Sequence, residues 1–104
     1  MKPRIQFTPQ AVEDLDEIWW FIANDSPDAA DRVEREILAT CHWLAHHSRM
    51  GHKRHDITPL PVRFWTVTKF PNYVIVYRPQ TMPLEVVAVL HGKRDLKEVL
   101  KSRV

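Results

Sequence analysis

The sequence predicts an α+β fold: an N-terminal strand, a helical hairpin packed on a mostly antiparallel sheet, a three-strand meander and a short final helix. Three observations predict it. Two segments that open on a hydroxyl residue followed by proline, at Thr8-Pro9 and Ser26-Pro27, carry apolar residues at helical spacing. Three apolar runs bounded by prolines follow them, Val62 to Thr68, Asn72 to Arg78 and Leu84 to Leu90. Between these halves, His46 to Pro61 shows no period. The order read is β-α-α-β-β-β-α.

Arg4 to Phe7 alternates polar and apolar residues, as a short strand does. Thr8 then caps a helix with Pro9 at its first position, where the missing N–H costs nothing. Its apolar stripe is Ala11, Leu15, Ile18 and Ile22, widened by Val12 and Trp19, and Asn24-Asp25 ends it. Glu13, Asp14, Asp16 and Glu17 are expected in water near the positive end of the helix dipole.

The second helix buries Ala30, Val33, Ile37, Cys41 and Leu44, with Leu38 and Ala45 alongside. So short a connection makes the pair an antiparallel hairpin. The long aperiodic loop after it suits a functional segment. Tyr73 to Tyr77 is apolar on both faces and belongs inside the sheet. Phe70-Pro71 and Pro79 to Pro83 supply the turns. Asp95 caps a last helix running to Ser102.

Alternation along the last strand places Leu84, Val86, Ala88 and Leu90 against the helices and Glu85, Val87, Val89 and His91 opposite. The face away from the helices is then expected to carry Arg63, Lys69, Glu85 and His91 around Trp65, a cationic and aromatic surface. Gly92 is expected to let the chain leave the strand by a backbone angle other residues resist, holding His91 at its end.

With 104 residues, 44% apolar and 27% charged, the chain is expected to form one domain spanning 1–104. Met1 to Phe7 lacks the apolar core of a secretion signal, and no run is long enough to span a bilayer. A single cysteine excludes an internal disulfide framework. Net charge is only +2, but the acids sit early while Lys93, Arg94, Lys97, Lys101 and Arg103 crowd the end. His42 and His46 share a helix face, yet no cysteine pair or acid completes a tetrahedral set, so neither metal nor other cofactor is expected. Trp20 falls off the main helical stripe. Its exposure would mark a partner surface.

Several ordered residues resemble the ParE branch of the RelE/ParE toxins. They are Asp14-Leu15-x-x-Ile18, Ala29-Ala30, Leu44-Ala45, Gly51, Arg63, Phe70-x-x-Tyr73-x-Ile75-x-Tyr77-Arg78 and Val89-Leu90-His91-Gly92-x-Arg94-Asp95. The resemblance covers nearly the whole chain, and its closing His-Gly-x-Arg-Asp is the most specific part. One departure is Ser48, where the family often has proline three residues before the loop glycine.

The resemblance implies the toxin of a type II toxin–antitoxin pair, of the kind that stabilises plasmids, and the single cysteine, Cys41, fits a reducing cytoplasm. ParE-type toxins poison DNA gyrase. The antitoxin would be ParD-like, of ribbon-helix-helix type, with operator DNA contacted only through it and no membrane involved. Target-binding candidates are Arg63, Lys69, His91, Arg94, Lys97 and Lys101, and antitoxin-binding candidates are Trp20 and Trp43. RelE-type relatives instead cut messenger RNA on the ribosome, which needs a base, phosphate-binding cations and an acid. His91, Arg63, Arg78 and Arg94 would be the reduced set here, but nothing aromatic or imidazole follows His91. The gyrase reading asks for binding alone, so the chain is read as an inhibitor rather than an enzyme. A non-toxic module that only binds the antitoxin is the third alternative.

Overall fold

A computed structural model describes residues 4–103. Met1, Lys2 and Pro3, part of the segment read above as lacking a leader, lie outside the described residues, as does Val104. The elements are β1 (Ile5–Phe7), α1 (Pro9–Ala23), α2 (Pro27–His46), β2 (Arg63–Thr66), β3 (Tyr73–Arg78), β4 (Leu84–His91) and α3 (Leu96–Lys101), in the order expected. The sheet runs β1-β4-β3-β2. Its β2/β3 and β3/β4 pairs are antiparallel, and β1 joins β4 in parallel.

Both helices start where the caps dictate. Thr8 accepts from the Ala11 N–H and Ser26 from the Ala29 N–H, each with proline at the first helical position. α2 buries Ala30, Val33, Ile37, Cys41 and Leu44, the stripe its spacing requires. α1 departs from expectation: Val12 is exposed, and the buried positions are Ala11 and Asp14. Asp14 is not a solvated acid, and none of the acids lies in the first turn.

Two apolar layers result. The helix-side layer joins Val33, Ile37, Cys41 and Leu44 to Ile75, Tyr77, Val86 and Val89. The far layer joins Val62, Phe64, Val76, Ala88 and Leu90 to Leu100 of α3. Ile57 and Leu60 of the long loop also pack there. The far face is therefore closed by α3 and the loop, not the open cationic surface expected. Burying Leu100 fully is worth about 2–3 kcal/mol, which helps anchor a helix too short to persist alone.

The error traces to one residue. Val76 pairs with Ala88 but Tyr77 pairs with Val86, leaving Val87 as an extra residue in β4. Such a bulge reverses the side-chain parity beyond it. Leu84 and Val86 face the helices as read, whereas Ala88 and Leu90 turn to the far layer and Val89 takes their place.

Gly92 also differs from expectation. Neither described glycine has a positive φ. A Cβ at Gly92 would meet nothing nearer than Asn72 O at 3.6 Å. Gly51 is the constrained one, where a Cβ would stand 2.5 Å from the Tyr77 hydroxyl.

Candidate functional site

β4 ends at His91 because the chain turns there. Gly92 N–H donates to Asn72 O at 2.7 Å and Arg94 N–H to His91 O at 3.0 Å. The Lys93 N–H donates to His91 Nδ1 at 3.1 Å, which leaves the proton of the neutral ring on Nε2. The imidazole meets Tyr73 edge to face, with centroids 5.6 Å apart. These contacts fix the ring while leaving it half-exposed.

A groove of ≈ 420 Å³ opens beside it, between α1 and the sheet end. Glu17, Ile18 and Phe21 of α1 form one wall; Tyr73, Val89, His91 and Arg94 form the other. Burial pushes the Tyr73 hydroxyl above its ordinary range, so it stays neutral. Phe21, 80% exposed, stands at the groove's rim, and the neighbouring Trp20 is 70% exposed and meets Trp19 edge to face at 5.1 Å. Trp19, by contrast, is fixed by donating Nε1–H to Asp31 at 2.9 Å. One imidazole, one guanidinium and the two acids Asp14 and Glu17 set among apolar walls suit a protein surface better than a phosphate cradle.

The other candidates lie elsewhere. Arg63 pairs with Tyr77, whereas His91 pairs with Tyr73, so they sit at opposite ends of β3, ~13 Å apart along the strand. Arg63 points to the helix side, not the far face, and its Nη1 donates to Gly51 O at 2.8 Å and Arg49 O at 3.2 Å. Arg78 donates Nε–H to Glu85 at 2.8 Å. Lys69 lies 3.7 Å from Glu36 of α2, and Lys101 lies 3.3 Å from Glu98. Lys97 is exposed on α3. Of the set named for cleavage, His91 and Arg94 share the groove; Arg63 and Arg78 do not join them. The expected cluster around Trp65 does not form. Trp43 leans on Trp65 (5.2 Å) and stacks on His47 (4.6 Å).

Two structural residues escaped the sequence reading. Asp14 Oδ2 accepts from Val89 N–H at 3.0 Å, and Arg103 donates to Val87 O at 3.1 Å. β1 pairs only as far as Val86, so these side chains satisfy β4 at the bulge beyond it. The spacing of Asp14 from Ala11 and Ile18 was the signal available for its burial. Tyr77 was read as interior, but its hydroxyl role was not. It accepts from Gly51 N–H (2.9 Å) and donates to Ser48 O (2.7 Å), holding the loop after α2.

Comparison with known proteins gives a consistent picture. The family described as "ParE toxin of type II toxin-antitoxin system, parDE" matches residues 5–96. A protein of Sinorhizobium fredii named "Putative toxin Y4kP" is 31% identical over 99 residues, covering 95% of this chain and 98% of its own length. A solved structure titled "Chromosomal ParDE TA system from P. aeruginosa" superposes with a TM-score of 0.70 at 19% identity, over 86% of this chain and 96% of that one. At that identity the likeness concerns the fold.

Proposed function

The chain belongs to the ParE family of toxins from type II toxin–antitoxin systems, and on that basis we propose that it arrests growth by binding DNA gyrase until a ParD-like antitoxin neutralises it. The observation that carries the binding reading is the separation of His91 from Arg63 and Arg78. Cleaving RNA without metal needs a base and phosphate-binding cations within reach of one phosphate. Here the two guanidiniums are engaged by Glu85 and by loop carbonyls, and both sit at the end of β3 opposite His91. His91 and Arg94 instead border an apolar groove, which supports contact with a protein target.

The antitoxin reading rests on Trp20 and Phe21. An extended segment that orders on docking must recover its lost entropy through buried apolar area, and exposed aromatic groups supply that area. Trp43, partly stacked within the molecule, is the lesser anchor.

The test uses purified protein in two assays. Gyrase supercoiling of relaxed plasmid is expected to stop at stoichiometric toxin and to recover when antitoxin is added. Primer extension on ribosome-bound messenger RNA is expected to show no new ends. New cleavage ends together with undisturbed supercoiling would replace this reading with the ribonuclease one.

A further inference from the structure

We propose that the loop between α2 and β2 forms a binding site for single-stranded nucleic acid, gripping phosphates with Arg49 and Lys53 and stacking bases against a column of aromatic rings. The site lies at the Tyr77 end of β3 and is separate from the His91 groove.

The first observation is a cavity of ≈ 470 Å³ bordered by Arg49, Lys53, Arg54, His55 and Arg63. One of these cations is spent: Arg54 pairs with Asp56 at 2.8 Å, and that contact lowers the Asp56 carboxyl below its usual range. Arg49 and Lys53 are exposed and pair with no acid among the described residues. Pro59 and Leu60 give the cavity a stiff apolar wall.

The second observation is that the loop is held in place from within. The Tyr77 hydroxyl bonds the backbones of Ser48 and Gly51, and Arg63 bonds the carbonyls of Arg49 and Gly51. His52 exchanges both backbone bonds with Phe64 at 2.8 Å. Two residues reaching up from the sheet thus fix backbone that displays unpaired cations. Ordering cations without giving them an internal partner leaves their attraction available to an external anion.

The third observation selects the kind of anion. His47, Trp43, Trp65 and His52 form a continuous column, with centroid steps of 4.6, 5.2 and 6.1 Å and interplanar angles of 20°, 36° and 17°. Both end rings are exposed imidazoles, so each end can present a π-face. His52 is the neighbour of Lys53, and Trp65 stands two residues beyond Arg63 on the same side of β2, ~7 Å away. Cations that track a backbone beside stacking rings are the physical elements of single-strand binding. An acidic peptide would use the cations but has no need of the column.

The experiment is fluorescence anisotropy of labelled oligothymidylate and oligouridylate of about ten nucleotides with the full chain, across a salt series. Binding is expected, weakening with salt by a log–log slope near −0.7 per phosphate engaged. The Arg49→Ala, Lys53→Ala double variant should bind about tenfold more weakly with a slope shallower by about 1.4. His52→Ala should lose roughly fivefold or more at an unchanged slope, as a stacking contact does. Tighter binding of the uridylate assigns RNA, and tighter binding of the thymidylate assigns DNA. Failure of both oligonucleotides to bind, or identical curves for wild type and the doubly substituted chain, would overturn the proposal. So would displacement of the oligonucleotide by an equal concentration of oligoglutamate, which would make the site one for acidic peptides. Arg49 and Lys53 are exposed, so the doubly substituted chain is expected to keep the wild-type circular dichroism spectrum, which separates loss of binding from loss of fold.

Discussion

The carboxylate of Asp14 is held at both oxygens by the guanidinium of Arg103, Nη1 to Oδ2 at 2.7 Å and Nη2 to Oδ1 at 2.8 Å. The pair ties the chain two residues beyond α3 to α1, with side chains only 10% and 4% exposed. The same atoms satisfy Val87 O and Val89 N–H at the bulge. Removing one partner leaves a buried charge and an unmet backbone group. Arg103→Ala is therefore expected to lower unfolding free energy by about 3–5 kcal/mol, read from urea melts. Loss below about 1 kcal/mol would mean that the pair is merely a surface contact.

The two glycines should respond oppositely to alanine. At Gly51 the new methyl would fall 2.5 Å from the Tyr77 hydroxyl and 2.9 Å from Arg63 Cβ, so strand and loop must separate. A cost of about 1–3 kcal/mol is expected. At Gly92 the nearest atom is 3.6 Å away and φ is ordinary, so Gly92→Ala should shift stability by less than about 1 kcal/mol. Thermal melts of both variants check the contrast.

Cys41 lies in the helix-side core, and burial pushes its thiol from 9.0 up to about 12. Because the folded value is raised, its contribution to stability is fully present below pH 9.0 and is lost as pH climbs toward about 12. Wild type should lose about 1.4 kcal/mol per pH unit more than Cys41→Ala across that window. Native protein at pH 8 should also resist alkylation that unfolded protein undergoes. The bonds from Asp14 likewise raise Arg103, but that contribution is lost only at pH far above the working range.

Much of the fold was legible because caps and periods are local. Thr8-Pro9, Ser26-Pro27 and the stripe from Ala30 to Leu44 needed only sequence spacing, and the proline-bounded runs located β2, β3 and β4. The sheet's two faces were not legible, because a bulge is a property of pairing. Nothing in Val86-Val87-Ala88-Val89, apolar throughout, marks the extra residue. That one slip displaced His91 and Ala88 together. Arg63 was misplaced for a different reason, since its partners are carbonyls of a loop without period. The contact between Asp14 and Arg103 spans almost the whole chain, and no local rule reaches so far.

Within the proposed target surface, His91 and Arg94 should separate function from folding. His91→Ala gives up an edge-to-face contact with Tyr73 and should cost about 1 kcal/mol. Arg94 is exposed, and Arg94→Ala should change stability by less than about 0.5 kcal/mol.

Titrating gyrase with wild type and with Arg94→Ala, both confirmed folded by thermal melt, most directly probes whether the groove is the working surface. A supercoiling inhibition curve displaced at least about tenfold, with melting unchanged, is the result expected for a hot-spot guanidinium. Superimposed curves for the two proteins would place the working surface elsewhere on the molecule.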